Sequence, residues 1–266
     1  MTPAEELRFS RLCHEELSRK KVRDGIGLLE EKRLHSIFKR WVCDDFTTHE
    51  QKVPGGGERS RKFVADVLTK EGEIFEIQTG SLYPMKRKIE FYMSKTDHPV
   101  TVVHPLIGKK EILWLHPEGG EVTPARSPLR EGVLHGVALL KPFLPYLCNG
   151  RLHLVFPVIA AEEYRLLDGW GRGGKRGSHR YELLPRALVA VHRLSTRADF
   201  AAHLPETPAE FTAKEFGKAT RLRGYDLYDA LAVFEGLGLL EKCGTRGRAA
   251  LWKRVEAREM QGTVNL

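Results

Sequence analysis

The sequence predicts an α/β fold, with a mixed sheet flanked by helices and then a smaller helical unit that ends in a strand hairpin. Three observations lead there. Ile26, Leu29, Leu34, Ile37, Phe38 and Trp41 recur at helical spacing. Residues 46–107 then switch to short β-branched and aromatic runs, interrupted by one further helical pattern. From Thr212 onward, two helical patterns precede two short apolar runs around "GTRG".

Taken in order, residues 3–20 predict a short polar helix and residues 25–43 a long amphipathic one. "FTTHEQKV" reads as a strand, "PGGGERS" as a turn, and "RKFVADVLT" and "IFEIQTG" as a hairpin around "KEGE". "PMKRKIEFYMSKTD" returns to helical spacing after Pro84, and "HPVTVVHPLI" is apolar enough to be buried on both faces, as a parallel strand is. The crossover between those last two strands should be right-handed. "KEILWLHPEGGEVTPARSP" predicts a hairpin turning at Gly119-Gly120, "VALLKPFLPYLCNG" a helix ended by Gly150, and "RLHLVFPVIAAEEYRLLDG" another strand. "LLPRALVAVHRLST" reads as an amphipathic helix. "FTAKEFGKA" opens on Thr212 with Glu215 three residues on, a capping box, and "GYDLYDALAVFEGLG" is a second helix. The implied division is a helical segment at 1–22, a main domain at 23–168, a basic glycine-rich linker at 169–182 and a C-terminal domain at 183–256.

The bulk numbers bound the function classes. The chain has 266 residues, 43 basic against 35 acidic, a formal charge of +8 that suits a polyanionic partner. Its four cysteines show no C-x-x-C pairing, which argues against a zinc ribbon or a disulfide framework. No apolar leader and no long apolar run is visible, so the expectation is a cytoplasmic protein with no membrane partner.

Two acids carry the chemistry. Asp66 lies in an apolar run, and Glu76 lies between Phe75 and Ile77 with Gln78 on the same strand face. If Asp66 shares that face, two carboxylates and an amide oxygen meet within reach of one magnesium ion, a hard cation that favours oxygen ligands. The alternative is an antiparallel hairpin whose acids simply face water.

"ADV" with "EIQTG" ten residues after the acid, in helix–strand–strand–strand–helix–strand order, resembles the PD-(D/E)xK superfamily of nucleases, the restriction-endonuclease-like fold. The likeness covers residues 25–107. It implies a Mg2+- or Mn2+-dependent endonuclease in which Asp66 and Glu76 hold the metal and Glu31, on the first long helix, assists. Gln78 takes the position of the family's lysine and would position water. Two features depart from the pattern: no proline precedes Asp66, and Gln78 carries no charge. Some members supply the lysine from the following helix, where "MKRK" offers Lys86 and Lys88; the competing role for both is a basic rim touching phosphates. Glu31 and His35 share a helix face, as a metal-proximal acid with an orienting histidine or as a surface pair. Gln78 also supports a different class, a retired nuclease fold serving as a scaffold for nucleic-acid binding or regulation.

Helices followed by a basic hairpin resemble a winged helix. From Thr212 to Arg254 nine Lys/Arg stand against five acids. Arg246 and Arg248 at the wing tip, with Arg172, Lys175, Arg176 and Arg180 in "GRGGKRGSHR", are the candidate phosphate contacts. "GWGRGG" matches a dinucleotide fingerprint only in letters, since it opens no helix. Tyr225, Tyr228 and Phe234 are expected to pack rather than stack on bases. The expected partner is nucleic acid, DNA favoured over RNA. Winged helices also mediate protein contacts, so a homodimer is a second expectation.

Overall fold

The computed structural model of the protein describes residues 1–18, 28–54, 63–115, 123–127, 129–167 and 177–255. The expected turns at residues 54–60 and at Gly119-Gly120 fall largely or wholly outside these residues.

Helices α1 (Pro3–Ser18) and α2 (Leu28–Val42) lead into β1 (His49–Lys52), β2 (Val64–Leu68) and β3 (Ile74–Ile77). The predicted first strand is shorter than its sequence, because Asp45 caps a 3-10 turn at Phe46–Thr48 by accepting from the Thr47 N–H. Helix α3 (Lys86–Lys95) then connects β3 to β4 (Val100–Val103). β2 runs antiparallel to both β1 and β3, and β3 and β4 are parallel, with Glu76 opposite Val102. All four residues of β4 are buried, as its unbroken apolar run required.

The sheet continues through β5 (Leu106–Leu115), β6 (Thr123–Arg126), β7 (Leu152–Leu166) and β8 (His179–Leu194). β7 pairs with β4 over its first residues and with β5 over its later ones, both parallel, while β8 runs antiparallel along its other edge. Pro157 falls between the two spans, where β7 has no ladder partner on that side, so its missing N–H costs no pairing. The result is a large mixed sheet flanked by helices. α1 and α2 cover one face, through Phe9, Leu12, Ile37 and Phe38, and α3 covers the other, through Ile89 and Tyr92.

Two sequence expectations are corrected here. Residues 183–194 are not a helix but most of β8, and "GWGRGGKRGSHR" joins the two strands of one long hairpin. The misreading has a physical origin. Between the paired residues Arg180/Glu182, Pro185/Ala187 and Leu188/Ala190, β8 carries one extra residue each time. These bulges break the alternation that would have marked a strand. Pro185 is tolerated because β8 is an edge strand. The second correction is the helix expected over 137–150: Pro142 and Pro145 reduce it to α4 (Val133–Ala138) and a 3-10 stretch, Lys141–Tyr146.

The C-terminal unit contains α5 (Arg197–Ala201), β9 (Glu210–Thr212), α6 (Ala213–Thr220), α7 (Gly224–Gly236), β10 (Leu240–Arg246) and β11 (Ala249–Arg254). The predicted capping box forms, with Thr212 Oγ1 accepting from the Glu215 N–H and Glu215 Oε2 accepting from the Thr212 N–H. β11 lies between β10 and β9 in a three-stranded sheet. α7 packs on α4, and one apolar core runs from the large sheet through Phe143 into Phe216, Leu231 and Phe234. Among the described residues no helix is long and apolar enough to cross a membrane.

Candidate active site and basic groove

The β2–β3 ladder ends at Val67 opposite Phe75. Just beyond it the Asp66 carboxylate substitutes for a strand acceptor: Oδ2 accepts from the Ile77 N–H at 2.8 Å. The same oxygen stands 3.2 Å from Nε2 of His35, which α2 brings in from one side. α3 brings two further side chains from the other. Lys88 Nζ donates to Glu76 Oε2 at 2.6 Å, and the Tyr92 hydroxyl donates to Glu76 Oε1 at 2.6 Å. Lys88 and Tyr92 are four residues apart, so they share a helix face.

The two carboxylates have opposite electrostatic settings. Glu76 is 1% exposed, and burial pushes its carboxyl up to about 7, against the pull of Lys88 and with the help of the Asp66 charge. Burial also raises Asp66, but the hydrogen bond and charge of His35, with the Ile77 N–H, outweigh it and hold the group below its ordinary value. Burial, with the Glu76 charge beside it, pushes the Tyr92 hydroxyl up, so it remains a donor.

Of the two lysines offered by α3, Lys88 reaches the carboxylates and Lys86 is exposed at the start of the helix. Gln78 is turned aside: its Nε2 donates to Ser81 O at 2.6 Å. Its backbone carbonyl lies 2.6 Å from His104 Nδ1, which must therefore carry the proton. Glu31 lies in α2 one turn before His35, but its side chain is outside the described part. Among the described residues no three His, Cys, Asp or Glu side chains are grouped for a metal. Sequence reasoning missed Tyr92. Its only signal was the spacing of four from Lys88, since a tyrosine in an apolar helix reads as core.

The expected phosphate contacts are redistributed. Arg172, Lys175 and Arg176 lie outside the described residues. Arg180 is not in a loop but at the start of β8, 3.6 Å from the buried Glu163, which Lys110 and Arg165 also hold. Arg246 pairs with Glu215 at 3.0 Å, and Arg248 is exposed in the two-residue turn after Gly247, whose φ of +63° suits the turn. The denser cationic feature is a groove of about 1060 Å³ where α6 meets α7, lined by Lys214, Lys218, Arg221, Arg223, Arg246 and Tyr228. Tyr225 and Tyr228 are not packed: they are 89% and 62% exposed at the start of α7. Phe234 is buried as expected.

No curated protein and no solved structure matches the chain. A family model does, over residues 32–195, more than half of the chain. Its span takes in most of α2, both carboxylates and all of the large sheet, and the protein therefore belongs to the family described as Domain of unknown function (DUF8091).

Proposed function

We propose that the protein is a metal-dependent nuclease that hydrolyses phosphodiester bonds of nucleic acid, with DNA favoured. The observation that carries this reading is Lys88 on Glu76 at 2.6 Å beside Asp66. A lysine missing from the third strand is supplied by the next helix, within an α2–β1–β2–β3–α3–β4 order that resembles PD-(D/E)xK nucleases.

The donors fit a hard divalent cation: two oxygen-bearing carboxyl groups where β2 and β3 part, Asp66 held ionised and Glu76 pushed up to about 7, where a cation would favour its charged form. Bound by Asp66 and Glu76, with Glu31 assisting, Mg2+ or Mn2+ would lower the pKa of a water and offset phosphate charge. The chain's own residues do the rest. His35 fixes the Asp66 carboxylate, and Tyr92 fixes Glu76. Lys88, which donates to Glu76, would offer a positive charge to the phosphate. Gln78, once its side chain leaves Ser81, orients water. The C-terminal unit is read as a winged helix, and its groove, with Tyr225, Tyr228 and Arg248, would hold the polyanion.

One observation favours the scaffold reading. Both Glu76 oxygens already have donors, and Gln78 points away. Cleavage of a panel of DNA and RNA substrates in magnesium, manganese or chelator separates the two. The nuclease reading expects metal-dependent cutting that Asp66→Ala and Glu76→Ala abolish while binding persists. Binding without cutting under every condition would leave the scaffold.

A further inference from the structure

A second cavity lies on the opposite side of the sheet from Glu76. It measures about 590 Å³, within the usual range for small-molecule sites. Trp41 and Val42 of α2, Phe75 of β3, Val103 of β4, and Leu154 and Val155 of β7 give it apolar walls. α1 contributes Ala4, Glu5 and Arg8, and this helix precedes the residues matched by the family model. Phe75 belongs to the α1/α2 side of the core, whereas Glu76 bonds to α3, so strand alternation separates the cavity from Glu76, and Asp66 is not among its lining residues.

The polar groups in its lining are unequal. Thr101 donates to Glu73 at 2.8 Å, and His153 Nδ1 bonds Ser195 Oγ at 2.9 Å. Glu5 and Arg193 form an ion pair, so each member of these three pairs has a partner within the lining. Arg8 is different. One of its terminal nitrogens donates to Arg40 O at 2.7 Å, but its Nε is buried with no hydrogen-bond partner. That Nε is closed off from the cavity, but among the described residues Arg8 makes no other hydrogen bond or ion pair, so its guanidinium lines the cavity without a carboxylate partner, and an anionic oxygen is the acceptor its remaining terminal N–H groups take best.

We propose that this cavity is a binding site for a small amphipathic monoanion, a carboxylate with an aliphatic or aromatic body, whose head group is taken by Arg8 and whose body lies against Trp41, Phe75 and Val103. The two aromatic walls suit a flat or extended hydrocarbon, and the closed polar pairs disfavour a highly hydroxylated ligand. The assignment does not depend on the nuclease reading, since none of its residues is in the carboxylate cluster.

The test titrates the full chain with dodecanoate, and with dodecanol as the neutral counterpart, by calorimetry and tryptophan fluorescence. Saturable binding of one dodecanoate per chain is expected, at least tenfold weaker in Arg8→Gln, with dodecanol weak and indifferent to that change. Val155→Phe, which fills the cavity from a half-buried position, should abolish binding while leaving the circular dichroism and melting temperature near those of wild type. If Val155→Phe does not fold, Thr101→Val serves as the control: it opens the Thr101–Glu73 pair but spares Arg8, and should retain most of the affinity. Absence of saturable binding, equal affinity for dodecanol, or affinity unchanged in Arg8→Gln would each overturn the proposal.

Discussion

Glu76 and Asp66 sit on neighbouring strands, yet burial and partners drive them in opposite directions, and that divergence is measurable. Glu76 keeps its proton in the folded chain up to about 7, while the unfolded chain releases it near 4.5. Between those values the folded state binds more protons than the unfolded one, so stability falls as pH rises through the window. In chelator, denaturant melts should show that fall, and Glu76→Gln should remove it. Asp66 works the other way: its lowered value contributes stability above the ordinary aspartate range that is lost as pH drops through the folded value. Tyr92→Phe strips one donor from the buried Glu76 and should cost about 1–3 kcal/mol, read from the urea midpoint. The acids were legible in the sequence because each interrupts an apolar strand. Lys88 was legible only as one of two lysines, and Tyr92 only as a residue one turn after Lys88, because a helical tyrosine among apolar residues carries no mark of whether its hydroxyl is used.

At the scale of elements, the large sheet depends on local irregularities that periodicity cannot reveal. β5 and β7 shift register between Ile107 and Lys109, and a Cβ on Gly108 would lie 2.4 Å from a Val158 methyl. Gly108→Ala should therefore destabilise by about 1–3 kcal/mol, with the loss visible as a lower melting temperature. Arg151 is the clasp on the C-terminal end of α3, donating to the carbonyls of Tyr92 at 3.1 Å, Met93 at 3.2 Å and His98 at 3.3 Å. Arg151→Ala leaves those carbonyls to water and should loosen α3, so faster amide exchange at its last turn is the expected sign. The helices α2, α3, α6 and α7 and the buried β4 were legible because each is governed by its own pattern or cap. β8 was not: its three bulges erase the alternation, and pairing with β7 decides its structure from outside the segment.

Across the whole molecule, charge and chemistry occupy different places. The carboxylates lie where β2 and β3 part, and a groove lined by Lys214, Lys218, Arg221, Arg223 and Arg246 lies in the C-terminal unit, between α6 and α7. If that unit holds nucleic acid, replacing Lys214, Lys218, Arg221 and Arg223 with glutamine should weaken binding by more than tenfold and flatten its dependence on salt, since each phosphate contact contributes to the slope. Unchanged affinity in that variant would exclude the groove as the nucleic-acid contact. The division of the chain was only partly legible for the same reason β8 was hidden. A glycine-rich basic stretch looks like a linker, but its flanks pair as one hairpin and the apolar core continues into the C-terminal unit.

On the proposed reading Asp66 and Glu76 form a divalent-cation site whose charge Lys88 balances when no metal is bound. Calorimetric titration of the full chain with manganese tests it without any choice of substrate. Saturable binding is predicted, lost in Asp66→Ala and in Glu76→Ala, and retained or tightened in Lys88→Gln because the competing cation is gone. No binding, or binding indifferent to both carboxylate substitutions, would rule out the metal site.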